Sequence, residues 1–198
     1  MWKFPLVFIP LLLIVIAGCT SYSTETPKAS TFTAKNLPKE VLTNGDHAYE
    51  ASVGINKGDK PYDFTIKTID GKEFNLYRNI ENKKPTLVYF FATWCPFCAK
   101  DFAVVDKIYP KYKDKVDFIA IDLDLKEDEK IIREYRDRYN HQFIQFAPGK
   151  AEILENYAIR YTTTKYAVSK DGIILWKGSG ELDANTWEII FKGLIESS

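Results

Sequence analysis

The stretch Thr86-Leu87-Val88-Tyr89-Phe90-Phe91-Ala92-Thr93-Trp94-Cys95-Pro96-Phe97-Cys98 decides how the rest of this chain is read. Thr86 to Phe91 is an unbroken run of strand-forming residues, the mark of a strand buried on both faces. After Cys98 the period changes: Phe102, Val105, Tyr109 and Tyr112 recur at spacings of three and four, as along one side of a helix. The two cysteines therefore fall where a strand ends and a helix begins. Unpaired N–H groups and the dipole at a helix N-terminus stabilise a thiolate, and only the thiolate attacks a disulfide. Cys95 is thus the expected nucleophile and Cys98, one turn further on, the resolving thiol. Pro96 suits the first helical position, where its missing N–H would be unpaired anyway.

Working outward, Phe64 to Thr68 alternates apolar and polar residues, and Asp70-Gly71 turns the chain into Glu73-Phe74-Asn75-Leu76, an N-terminal β-hairpin. Val116 to Ile121 reads as a second buried strand. Residues 126–139 form a charged amphipathic helix with Ile131, Ile132, Tyr135 and Tyr139 as its apolar side. A short helix is expected over Ala151 to Ala158. Lys165 to Ser169 and Ile173 to Trp176 pair around a Lys170-Asp171-Gly172 turn. Asp183 or Asn185 caps a last helix that buries Trp187, Ile190, Phe191 and Leu194. Strands and helices in this order predict an α/β protein with a central mixed sheet flanked by helices.

The charges balance, with 27 basic and 27 acidic residues, which argues against a nucleic-acid partner. They read as an ordinary solvated surface. Of three cysteines, none beyond the Cys95–Cys98 pair is left to make a structural disulfide, the usual employment of cysteine in exported domains. A zinc site needs four ligands, and the chain offers only His47, in a tail, and His141, in a loop. No metal site is expected, and no cofactor beyond the redox-active disulfide. Tyr89 reads as a core tyrosine, and Asp122 and Asp124 as solvated residues leading into the next helix.

Residues 1–18 carry one charge, Lys3, followed by an apolar run from Phe4 to Ala17. That run is shorter than the ~20 residues needed to span a bilayer and suits a signal peptide. Ile16-Ala17-Gly18-Cys19 resembles a bacterial lipobox, which implies lipidation at Cys19; an uncleaved signal anchor is the other reading. Both tether the remainder to a membrane outside the cytoplasm. Residues 19–50, rich in Thr, Ser, Lys, Pro and Asn, form a flexible linker, and 51–198 the folded domain.

Taken together, Trp94-Cys95-Pro96-Phe97-Cys98 in its strand-to-helix context resembles the thioredoxin superfamily. Gly58 to Phe64 with Asp70-Gly71-Lys72, and Ser169 to Ile174, resemble its membrane-anchored TlpA/ResA-like branch. The resemblance implies a thioredoxin-like fold with an N-terminal hairpin and a helical insertion. It implies an extracytoplasmic thiol–disulfide oxidoreductase acting on protein thiols and disulfides, more in the manner of a reductase fed by a membrane electron donor. Oxidative folding would use the same residues. It also implies that Asp101, three residues after Cys98, assists proton transfer; the other reading is an exposed acid in the first helical turn. Trp94, Pro96, Phe97 and Thr163 would surround the pair, with Trp94 packed beside it. Two departures stand out. Relatives carry a cis-proline where this chain has Thr163, and a non-proline cis bond costs ~2.5–4 kcal/mol, so a trans peptide is expected. Relatives also place proline directly before the second cysteine, where this chain has Phe97. The missing cis-proline keeps a second class of function open: a thioredoxin-like lipoprotein that binds a ligand such as copper without turnover.

Overall fold

The structure is a computed structural model that describes residues 51–197. The signal segment, Cys19 and the linker lie outside the described residues.

Five strands form the central sheet: β3 (Thr86–Phe91), β4 (Asp117–Asp122), β5 (Gln145–Ala147), β6 (Thr164–Val168) and β7 (Ile174–Gly178), in the order β5-β4-β3-β6-β7. A short hairpin, β1 (Thr65–Lys67) with β2 (Glu73–Asn75), forms its own two-stranded sheet. β3 runs parallel to β4 from Thr86 opposite Asp117 to Phe91 opposite Asp122, and β4 runs parallel to β5. Parallel neighbours need a long crossover, here supplied by α2 (Pro96–Ile108) and α3 (Glu129–Tyr139). β6 returns antiparallel to β3, and β7 antiparallel to β6. This is the mixed sheet of a thioredoxin-like fold.

β3 lies at the centre, and all six of its residues are buried. Because side chains alternate across a strand, its residues feed two cores. Leu87, Tyr89 and Phe91 pack with Phe102 and Val105 of α2, Ile132 and Tyr135 of α3, and Trp187 and Phe191 of α5 (Ala184–Glu196). Val88 and Phe90 face the hairpin residues Phe64, Ile66 and Phe74, together with Ile153 and Tyr157. The loop after Phe91 is thereby held between two packed layers.

Several local expectations change. The hairpin ends at Asn75, whose side chain accepts from the Arg78 N–H and starts a helix, α1 (Leu76–Glu81), in place of further strand. β5 is an additional strand, and its three residues are too few to carry a period. α3 begins three residues later than expected, at Glu129, behind the cap Asp128, which accepts from the N–H groups of Lys130 and Ile131. Ile132 and Tyr135 face the core, whereas Ile131 and Tyr139 are exposed, since the core contacts only a narrow stripe of this charged helix. α4 (Ala151–Asn156) is shorter than its pattern suggested. In α5 the cap is Asp183, and the four expected apolar residues are buried. His141 lies in the loop after α3, as expected, and is buried there, with Nδ1 2.6 Å from Asp106 Oδ2. No helix among the described residues is long and apolar enough to cross a membrane.

Candidate active site

The site is built where β3 gives way to α2. Cys95 is the N-cap of α2; its sulfur accepts from the Cys98 N–H at 3.2 Å, and Pro96 takes the first turn. This is the capping geometry that a serine or aspartate usually provides, here delivered by the nucleophile itself. Both cysteines are buried free thiols, and their sulfurs lie 2.7 Å apart. The Cys98 thiol is pushed up to about 12, mainly by burial and further by its hydrogen bond with Cys95, against a lowering pull from the Ala92 backbone and the Tyr89 hydroxyl. At neutral pH Cys98 therefore holds its proton and needs a base before it can attack.

Asp101 lies one turn beyond Cys98 on the same helix and is fully buried, which overturns the reading of an exposed acid. Its carboxylate receives three donors: the Tyr89 hydroxyl at 2.8 Å and the Lys165 ammonium at 2.7 Å on Oδ2, and the Leu182 N–H at 2.8 Å on Oδ1. Tyr89 is thus more than core filling: its hydroxyl reaches both Asp101 and Cys98. Burial pushes that phenol far above its usual range, so it stays protonated. Lys165 is itself fully buried, and burial pulls its ammonium below the lysine range while Asp101 holds it up. Asp101 and Lys165 also contradict the reading of all charges as solvated surface.

Lys165 escaped the sequence reading because a lysine in a strand normally reaches water. β6, however, lies between β3 and β7 and is buried along its whole length. The available signal was Lys165 itself, a lone cation in an otherwise apolar or hydroxyl-bearing stretch.

Thr163 follows a trans peptide, as expected; no peptide bond among the described residues is cis. Its backbone occupies the left-handed region at φ 62°, which is unusual for a β-branched residue and costs about 1–3 kcal/mol. The hydroxyl donates to the Thr162 carbonyl at 2.6 Å and accepts from the Gly180 N–H at 2.9 Å. Trp94 and Phe97 are 61% and 54% exposed, so Trp94 is displayed beside the cysteines and not packed against them. Its indole N–H donates to Asp124 Oδ2 at 3.0 Å. Asp122 corrects a further expectation: it is fully buried at the end of β4, and Oδ2 has no partner among the described residues. Burial, and next the side chain of Glu127, push Asp122 up to about 9. Glu127, also missed from sequence, accepts from the Thr93 N–H at 2.9 Å and from the Thr93 hydroxyl, tying down the loop before Cys95. Among the described residues no group of three or more His, Cys, Asp or Glu is arranged to hold a metal.

Comparison with known proteins matches residues 57–177 to the AhpC/TSA family. The thioredoxin-like protein YneN of Bacillus subtilis is 31% identical over 123 residues, 62% of this chain and 71% of that protein. The thiol-disulfide oxidoreductase ResA of Bacillus cereus is 25% identical over 182 residues, 91% of each. A putative thiol:disulfide interchange protein DsbE from Chlorobium tepidum superposes with a TM-score of 0.63 at 20% identity, covering 72% of this chain and 99% of that one. The exposed lipoprotein thioredoxin Etrx1 of Streptococcus pneumoniae gives a TM-score of 0.58 at 19% identity, over 67% and 100%. These structures share the thioredoxin-like fold with this chain.

Proposed function

The chain belongs to the AhpC/TSA family and is a thiol–disulfide oxidoreductase of the ResA/DsbE type; from that premise we propose that it works outside the cytoplasm as a reductase of protein disulfides. The observation that carries the reading is the pair of free thiols at the N-terminus of α2 with a buried carboxylate one turn below. In the reaction, the Cys95 thiolate attacks a substrate disulfide, forming a mixed disulfide and releasing one substrate thiolate. Cys98 then attacks Cys95 Sγ. The Cys95–substrate bond breaks, the Cys95–Cys98 bond forms, and the second substrate sulfur leaves with the electron pair. Two electrons pass from the cysteine pair to the substrate. Asp101 receives the proton that Cys98 must lose, and no cofactor beyond the disulfide takes part. Trp94 and Phe97 offer an apolar rim on which a polypeptide rests, and the Thr163 loop lines the far side.

The reducing direction is the one that the TlpA/ResA-like resemblance of the motifs implies, and a relative named ResA matches 91% of this chain. A membrane electron donor would restore the dithiol. For the N-terminal 50 residues, the apolar run ending at Gly18-Cys19 supports export and a lipid tether at Cys19, with residues 19–50 as spacer and 51–198 as the working domain. The Etrx1 protein, described as an exposed lipoprotein, supports the same placement. Copper capture by the pair alone would want a third ligand close by, and the described residues assemble none.

The test is equilibration of the full chain in thiol redox buffers, read by Trp94 fluorescence and thiol alkylation. A midpoint near −270 mV, about that of thioredoxin, is expected; a value near about −120 mV would reverse the direction. Cys95→Ser should abolish reduction of insulin disulfides. Undiminished turnover in that variant would remove the mechanism.

A further inference from the structure

We propose that Lys165 is a positioning residue for the resolving step, its buried ammonium holding the Asp101 carboxylate where it takes the Cys98 proton by way of the Tyr89 hydroxyl. This rests on the reading of Cys95 and Cys98 as the redox pair with Asp101 as proton acceptor. An ammonium has three N–H donors and no acceptor. Those of Lys165 meet Asp101 Oδ2 at 2.7 Å, the Thr163 carbonyl at 3.1 Å and the Gly180 carbonyl at 2.5 Å. Its donors are all engaged, so Lys165 acts on the cysteines through Asp101 and through its field, not by a bond to sulfur.

The same oxygen, Asp101 Oδ2, accepts from the Tyr89 hydroxyl. Lys165 also sits 4.8 Å from the centre of the Tyr89 ring and 5.5 Å from that of Trp187. With its one O–H on Asp101 at rest, the Tyr89 oxygen has lone pairs open to the Cys98 proton, and the same hydroxyl reaches the Cys98 sulfur, where it favours the thiolate. When Cys98 attacks the mixed disulfide, its proton passes to the Tyr89 oxygen and the phenolic proton passes to Asp101 Oδ2. Tyr89 ends neutral, as it began. Negative charge moves from Asp101 toward the reacting sulfurs and remains in the field of the same cation, since Lys165 interacts with Asp101, Cys98 and Cys95 alike. The groups facing Lys165 are these three from α2 and its cap, Tyr89 from β3, the Thr163 carbonyl at the start of β6, Gly180 after β7, and the Trp187 ring of α5. Lys165 further ties the strained Thr163 loop to the helix that carries the cysteines.

The experiment loads Cys95 of the full chain with a thionitrobenzoate mixed disulfide and follows release of the coloured thiolate by Cys98 across pH. The unaltered protein should show a rate nearly flat around neutrality. In Lys165→Met the rate at pH 7 should fall at least about tenfold and then climb with pH toward the titration of Cys98 itself, as expected when a thiol loses its base. Asp101→Asn should behave similarly, and Lys165→Met added to Asp101→Asn should slow release little further, the signature of two residues acting as a unit. Equal slowing in both backgrounds, or an unmoved pH profile, would make Lys165 merely structural and overturn the proposal. Should Lys165→Met fail to fold, Lys165→Gln, which keeps a donor without the charge, must show the same shift. Nitrogen-15 NMR of the unaltered protein requires no variant: Lys165 should be an ammonium at pH 7, and a neutral amine there would overturn the proposal. If the unaltered protein does not release thionitrobenzoate faster than Cys98→Ser at any pH, it is the redox reading itself that fails.

Discussion

Asp101 and Asp122 are both fully buried carboxyl groups close in sequence or pairing to the cysteine loop, yet they are housed in opposite ways. Asp101 meets an ammonium, a phenol and a backbone N–H. Asp122 meets the Asp124 N–H on one oxygen, has no partner on the other among the described residues, and has the acid Glu127 as neighbour. A buried charge persists only when it is paired and hydrogen-bonded; otherwise the group neutralises. The first acid is therefore surrounded by donors suited to a charge, and the second, pushed up by burial, is housed as a neutral acid. Two aspartates of the same depth differ in chemistry because one sits beside Lys165.

The sharpest way to break this comparison is to strip Asp101 of its role as partner. Asp101→Ala leaves the Lys165 ammonium buried and unpaired and should cost about 3–5 kcal/mol in urea denaturation, whereas Asp101→Leu with Lys165→Met should recover most of that loss. A single variant as stable as the parent would mean that the pair is not a buried ion pair in solution.

A smaller effect should come from Asp122. Its folded-state value, about 9, lies above the ~3.9 of an unfolded aspartate. Its contribution to stability is thus fully present below about pH 4 and is lost as pH rises through about 9. Melting temperature should decline from pH 5 to 9, and Asp122→Asn should flatten that slope. An unchanged slope would mean that Asp122 is ionised throughout and that the contrast with Asp101 is false.

The smallest effect belongs to the exposed edge of the same loop. Asp124, held below the usual carboxylate range chiefly by the Trp94 indole N–H, is solvent-screened. Asp124→Ala should leave the melting temperature within error while shifting Trp94 emission. A large loss of stability there would show that the loop depends on this contact more than on Glu127.

Much of this architecture was legible in the order of residues. Thr86 to Phe91 announces a doubly covered strand by its lack of alternation, and the Cys95-Pro96-Phe97-Cys98 segment declares its helix by the change of period that follows. The stripe Trp187, Ile190, Phe191, Leu194 is buried as its spacing requires. β5 and α1 escaped because three and six residues are too few to display a period against their neighbours. Ile131 and Tyr139 were misread because a helical stripe can be wider in apolar residues than the surface it covers.

Local order along the chain fixes where the reactive cysteines stand and what presents them, because a strand, a cap and a helix turn are set by neighbours a few residues away. Tertiary structure decided which charges are partners. β6 pairs with β3 and is covered in turn by β7, which leaves Lys165 without a solvent face. That burial drives its ammonium onto the nearby Thr163 carbonyl and onto Asp101 and the Gly180 carbonyl, which lie far along the chain. Periodicity records which way a side chain points; only the packed sheet determines whether water or an opposite charge waits there.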